Sequence, residues 1–184
     1  MMKGSVMTLM NEIAQLEVVL PVRIRTATAV DVVRLEWYGQ YAHHRNLFRK
    51  AYRDQQLGKR LILVADCKQF PIGRIFILFI LKQHGDDGSQ LSYLYSLRVM
   101  EMFRNQGIGS RLIAEAEQKI AERGYNQVTI GVAKTNLDAR RLYERLGYQV
   151  YSDDPGQWSY TDHLGNVRSI KEPCWLLQKQ IRLR

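Results

Sequence analysis

The chain has 184 residues, 46% of them hydrophobic and 24% charged, a balance that excludes a disordered or fibrous polypeptide and suits one domain with its own core. Its 27 Lys and Arg against 18 Asp and Glu leave a formal charge of +9; such an excess can steer a polyanionic partner, although charge runs more often form a solvated face. Two cysteines, Cys67 and Cys174, are too few for a disulfide framework and lack metal-ligand spacing, so both are expected reduced and packed.

The first twenty residues open like a secretory leader, but Asn11, Glu12 and Glu17 interrupt the apolar stretch and no small-residue cleavage site follows. They are expected to form a helical extension, 1–20, ahead of a single domain over 21–184. No segment approaches the roughly 20 apolar residues of a membrane span, and the expected location is cytoplasmic. The alternation Val22-Arg23-Ile24-Arg25 predicts a half-buried strand, and Thr26-Ala27-Thr28 supplies caps for a helix over 31–38. A second helix is expected over about 41–57, ending at Gly58. It carries most of a basic stretch made of His43, His44, Arg45, Arg49, Lys50 and Arg53, continued by Lys59 and Arg60.

Runs of β-branched and aromatic residues predict strands over 61–65 and 72–81, joined by a turn over 66–71. A polar loop over 83–89 leads to a strand over 91–99. Ile108, Leu112, Ile113, Ala116 and Ile120 recur at helical spacing and predict a helix over 107–123, closed by Gly124. Val128, Ile130 and Val132 mark a strand; Asn136 then caps a helix with Leu142 and Leu146 on one face, ended by Gly147. This strand-helix-strand-helix order implies a parallel crossover within layered α/β packing. A short strand over 148–151 and a longer one over 173–181 flank an insertion, whose Trp158, Tyr160 and turn at His163-Leu164-Gly165-Asn166 predict an extended hairpin.

The segment Arg104-Asn105-Gln106-Gly107-Ile108-Gly109-Ser110 stands where a strand gives way to the strongest helix. Free N–H groups and the dipole at a helix start attract phosphate, and glycines let it approach the backbone. A dinucleotide fold would want a further glycine where Leu112 stands, and a P-loop would want Gly-Lys-Ser or Gly-Lys-Thr. Neither pattern fits.

The sequence resembles the GNAT (GCN5-related N-acetyltransferase) family, whose acetyl-CoA turn reads Arg or Gln, two residues, Gly, one residue, then Gly or Ala. Arg104, Gly107 and Gly109 match that turn, and Asn136, Ala139, Leu142, Tyr143, Glu144, Gly147 and Tyr148 match a second family segment at the right spacing. The likeness is close over 91–151 and elsewhere agrees in element order alone. It implies an α/β GNAT fold: a central mixed twisted sheet of about six to seven strands with helices on both faces. It further implies an N-acetyltransferase that moves an acetyl group from acetyl-CoA to a primary amine of a small molecule, peptide or protein, by direct attack in a ternary complex.

Carried over residue by residue, the resemblance gives Leu97 and Val99 main-chain bonds to pantetheine. It assigns the backbone of Arg104, Asn105, Gln106, Gly107, Ile108, Gly109 and Ser110 to the pyrophosphate, with the Ser110 hydroxyl as a further donor. Asn136 would contact the cofactor or cap its helix, and Tyr143 would protonate the departing thiolate. No metal is implied. A general base is not evident: some relatives place a Glu where this chain has Tyr93, leaving water, Tyr93, Tyr95, Glu36, His84 or Glu172.

The basic residues around 41–60 and the hairpin at Trp158 and Tyr160 would wall an acceptor cleft, with Arg49 and Arg53 favouring an acidic acceptor. A homodimer is left open. Two other readings stand beside the leading one. The first is an acyl-CoA-binding module without turnover; the second, motivated by the basic stretch, is an acetyltransferase acting on aminoacyl-tRNA, with nucleic acid the lesser expectation.

Overall fold

The structure, a computed structural model, describes residues 19–80 and 91–182. The expected N-terminal helix, apart from its last two residues, and the polar loop with His84 lie outside the described residues. In chain order the elements are β1 (Val22–Thr26), α1 (Ala29–Arg34), a 3-10 turn (Ala42–His44), α2 (Arg45–Gln56), β2 (Arg60–Cys67), β3 (Phe70–Ile80) and β4 (Leu91–Val99). A second 3-10 turn (Glu101–Phe103) precedes α3 (Ile108–Glu122), β5 (Gln127–Ala133), α4 (Leu137–Arg145), β6 (Gln149–Asp154), β7 (Gln157–Thr161), β8 (Val167–Lys171) and β9 (Cys174–Gln180).

Seven strands form one sheet in the order β1-β2-β3-β4-β5-β9-β6, while β7 and β8 pair by themselves as the expected hairpin. Only the β4–β5 pair is parallel, across the α3 crossover, so the sheet is mixed. Alternation along β2 sets the layers. Leu61, Leu63 and Ala65 enter one buried cluster with Leu112, Ile113, Ala116 and Ile120 of α3; Ile62 and Val64 enter another with Leu35, Phe48 and Ala51. Helices therefore cover both faces, with α3 and α4 on one and α1 and α2 on the other. Each face buries enough aliphatic surface to hold the sheet against its helices, at about 1.5–3 kcal/mol per fully buried large side chain.

The second helix begins at Arg45 rather than near residue 41, because Ala42–His44 form a 3-10 turn, and two further boundaries depart from expectation for identifiable reasons. The first helix stops at Arg34 rather than at residue 38, because Trp37, Tyr38 and Gly39 all take positive φ (44°, 58° and 92°). Such left-handed residues are costly for bulky side chains and persist only where other contacts hold them. Here Trp37 donates its Nε1–H to the Pro71 carbonyl at 2.7 Å and lies against the Arg74 guanidinium. Likewise the turn expected over 66–71 shrinks to Lys68 and Gln69, both left-handed (φ 48° and 67°), and β2 and β3 extend to meet it. Thr28 caps α1 together with Asp31, whose carboxylate accepts from the Thr28 N–H at 2.7 Å and from its hydroxyl at 2.8 Å.

Candidate active site

Beyond the Leu94–Ile130 pair, β4 and β5 part company. The parallel ladder runs from Leu91–Gln127 to Leu94–Ile130, after which β5 stays paired with β9 as far as Ala133. An extra residue in β4 drives the separation. Arg74 of β3 pairs with Arg98 while Phe76 pairs with Tyr95, so one residue of β4 bulges out, and Ser96 there has φ 54°. The result is a gap whose β4 wall is residues 95–99.

The main chain of that wall is turned toward the gap. Met100 donates its N–H to the Ile72 carbonyl at 2.8 Å, on the β3 side. Successive N–H groups of a strand alternate in direction, so those of Val99 and Leu97 point the opposite way, into the gap. Their side chains pack against the core on the α3 face.

The glycine turn lies at the mouth of the gap. Arg104 through Gly107 are exposed, and Arg104 anchors the turn by donating Nε–H to the Val99 carbonyl at 3.2 Å. Asn105 (φ 60°) and Gly107 (φ 78°) bend the chain, and a Cβ at Gly107 would meet nothing within 4 Å. Glycine is therefore favoured there by its backbone conformation. Gly107 is the N-cap of α3 and offers no side chain, so the N–H groups of Ile108, Gly109 and Ser110 have no capping partner. In contrast, α4 is capped from within: the Asn136 side-chain oxygen accepts from the Ala139 N–H at 3.1 Å. Gly109 leaves room for an ordinary 3.7 Å contact between an added Cβ and Leu142 of α4, which ties the turn to the helix carrying Tyr143.

Tyr143 is 5% exposed, and among the described residues its hydroxyl makes no hydrogen bond, yet its oxygen is not sealed from the surface. Burial, reinforced by Tyr93, pushes the phenol up to about 12, against a weaker opposing pull from Arg98. It is a proton donor at neutral pH.

The candidate bases fare differently. Tyr93 and Tyr95 are raised by burial and hold their protons; the Tyr93 hydroxyl lies against Gly131, and Tyr95 is bonded to Arg60. Glu36 is bound by Arg45 through Nε and Nη2 at 2.6 and 2.7 Å, which holds it below the usual carboxylate range as a structural anion. Glu172 is exposed at the foot of the hairpin, where its carbonyl accepts from the Cys174 thiol. Cys67 is buried and Cys174 half-buried, both as free thiols. Burial, then Glu172 and Asp154, push the Cys174 thiol up, away from the reactive thiolate.

The basic stretch divides. Arg49 and Arg53 line a shallow pocket between α1 and α2 with Val32, Val33 and Tyr52, apart from the gap. The start of α2 meets the hairpin instead: Asn46 donates to the Asp162 carbonyl at 2.7 Å, and the His44 ring lies 5.1 Å from that of Tyr160. His44 is brought down to about 4 by burial and by the neighbouring His43, Arg74 and Arg98 charges. With an unperturbed value of 6.5 when unfolded, its stabilising contribution is complete above pH 6.5 and is lost as the pH falls toward 4. Urea midpoints at pH 7 and pH 5 should accordingly differ more in the wild type than in His44→Asn. Below that window Asp162, held down to about 2 chiefly by Arg168 against its own burial, becomes the next loss.

A family model described as the acetyltransferase (GNAT) family matches residues 71–148, which hold both the glycine turn and Tyr143. Over that stretch the chain is similar to the GNAT acetyltransferase family. The chain is 29% identical to mycothiol acetyltransferase of Corynebacterium aurimucosum over 45% of its own length and 27% of that protein. It is 32% identical to thialysine N-epsilon-acetyltransferase of Mus musculus over 37% of its length and 40% of that enzyme. The aligned part thus spans less than half of either relative. A broader match, 26% identical, links 79% of the chain to 72% of N-alpha-acetyltransferase 60 of Xenopus tropicalis. Among solved structures, Arabidopsis thaliana NAA60 in complex with acetyl-CoA superposes with a TM-score of 0.65 at 20% identity, covering 88% of this chain and 99% of that one. That likeness shows the GNAT fold, as expected from the sequence.

Proposed function

We propose that this protein transfers the acetyl group of acetyl-CoA to a primary amine. The observation that carries the reading is the open β4–β5 gap, with the Leu97 and Val99 N–H groups aimed into it beside the uncapped start of α3. An extended pantetheine fits such a gap as an added strand, and a pyrophosphate suits the free N–H groups of Ile108, Gly109 and Ser110. Arg104, Asn105, Gln106 and Gly107 shape that cradle. Asn136 acts chiefly by capping α4, which holds Tyr143 in place. The relatives' printed activities, acetyl transfer in each case, support the same reading.

Acetyl-CoA supplies an activated acyl group whose thioester an amine can cleave directly. The chain's own part is to bind, orient and manage protons. The β4 bulge leaves main-chain donors beside the reacting carbonyl, which suits an oxyanion. Tyr143 keeps a proton at Oη at neutral pH and offers it to the departing sulfur. Arg45 holds Glu36 as an anion, and Tyr93 and Tyr95 keep their protons, so none of the three is assigned as the base and the proton lost by the amine is assigned to water.

The test is a panel of amines and peptides offered with acetyl-CoA, read as released thiol. Amine-dependent release supports the proposal; acetyl-CoA binding with no release across the panel would identify a binding module instead. Product formation confined to aminoacyl-tRNA, with a steep salt dependence, would favour the RNA-directed alternative.

A further inference from the structure

Arg74 is the one charged residue within the otherwise apolar run of β3, and it is 0% exposed. Its Nη1 donates to the Leu35 carbonyl at 2.9 Å, while Nε and Nη2 are buried with no partner among the described residues. Three aromatic rings surround the guanidinium: Tyr41 at 4.5 Å, Trp37 at 4.8 Å and Phe48 at 4.8 Å. Burial and the charge of Arg98 pull it down to about 9, which leaves it a cation at neutral pH. No carboxylate among the described residues offsets that charge.

The second observation is its neighbour across the ladder. Arg98 stands directly opposite Arg74 in antiparallel register, and its exposed guanidinium lies 5.3 Å from the same Tyr41 ring. Among the described residues it too meets no acid. Like charges directly opposite each other destabilise a ladder, and buried unpaired donors add a further cost. The Leu35 carbonyl and the three rings hold the Arg74 side chain in place, but none of them carries the negative charge that would balance the pair. The neighbouring rings, His43 and His44, add no negative charge.

Its position suggests the use. Residues 97 and 99, on either side of Arg98, direct their N–H groups into the β4–β5 gap and pack on the α3 face, whereas Arg98 extends toward Tyr41 on the α1 and α2 face. With the glycine turn and Tyr143 on the α3 side, an amine that reached the gap from the opposite side of the sheet would meet the exposed Arg98, with Arg74 buried behind it. We propose that Arg98, with the buried Arg74 charge behind it, receives an anionic group of the acceptor, so that the preferred substrate is an amine that also bears a carboxylate or phosphate. This proposal rests on the acetyltransferase reading for the identity of the acceptor, but the anion site itself does not. It also moves the expected acidic-acceptor contact away from Arg49 and Arg53.

The experiment is thermal melting of the wild type and Arg98→Gln with acetate and, separately, inorganic phosphate, at constant ionic strength. Without anion, Arg98→Gln should melt about 1–3 °C higher, because a like-charge pair is removed. Beyond saturation, each tenfold rise in anion should raise the wild-type midpoint by roughly 3–5 °C and leave the variant unmoved. A larger response to acetate marks a carboxylate, and a larger response to phosphate marks a phosphate ester. A wild type indifferent to both anions, a variant that responds equally, or a variant that melts lower would each overturn the site. Calorimetry with acetyl-CoA runs alongside: retained affinity in Arg98→Gln, with acceptor KM raised at least tenfold, is the expected kinetic counterpart. Loss of acetyl-CoA binding in the wild type would defeat the acetyltransferase reading while leaving the melting result to judge the anion site.

Discussion

Gly107→Glu is expected to abolish measurable acetyl-CoA binding, with affinity falling at least 100-fold while the protein still folds. Two effects add. Gly107 has φ 78°, a conformation that costs an L-residue about 1 kcal/mol or more, so any side chain strains the turn. The open space around its Cβ means that strain, rather than collision, is the structural cost. The carboxylate does more harm to ligand binding than the strain does, since it places a negative charge where the uncapped N–H groups of α3 would meet a pyrophosphate. Gly107→Ala separates the two: it should show the strain as a lower melting temperature but keep most of the affinity. Isothermal calorimetry on both variants checks this. Wild-type affinity in a folded Gly107→Glu would remove the turn from the binding site.

Tyr143→Phe is expected to lower kcat and kcat/KM together, by about 100-fold where chemistry limits the rate, with acetyl-CoA affinity nearly unchanged. The ring is 5% exposed and belongs to the α3-side core, so phenylalanine keeps its packing. Only the hydroxyl is lost, and it has no hydrogen-bond partner among the described residues whose loss could disturb the fold. A merely structural tyrosine would leave single-turnover rates intact. Rapid-quench kinetics distinguishes the two cases, and an unchanged chemical step would strike Tyr143 from the mechanism.

Much of the architecture was readable because its signals are local. The period of Ile108, Leu112, Ile113, Ala116 and Ile120 marks α3, and all five are buried as that period requires. Alternation marks the two faces of β2, and the turn residues of the insertion mark the β7–β8 hairpin. The glycine turn was legible from its place between strand and helix. What escaped depends on contacts distant in sequence. Trp37 and Tyr38 look helical, and they leave the helix because Trp37 is drawn over Arg74, which arrives from β3. Glu36 offers a carboxylate in the sequence, but its bond to Arg45 is visible only in three dimensions. The β4 bulge at Ser96 carries no glycine and no proline, so nothing in the residues announces it. Arg74 did carry a signal, as a lone charge in the run Pro-Ile-Gly-Arg-Ile-Phe-Ile-Leu. A buried strand tolerates such a residue only when something answers its charge; the Leu35 carbonyl and the rings of Trp37, Tyr41 and Phe48 do so in part, and the facing Arg98 does not.

The proposed acetyl transfer depends on where acetyl-CoA lies, and the most direct test is amide hydrogen exchange by NMR with and without saturating acetyl-CoA. The N–H groups of Leu97 and Val99, which have no partner strand across the gap, should exchange slowly once the ligand is bound, together with those of Ile108, Gly109 and Ser110. The N–H of Met100, already bonded to Ile72, should change far less. Protection at those five positions is the predicted result. Saturation by acetyl-CoA with no slowing at Leu97 and Val99 would contradict the placement of the ligand in the β4–β5 gap.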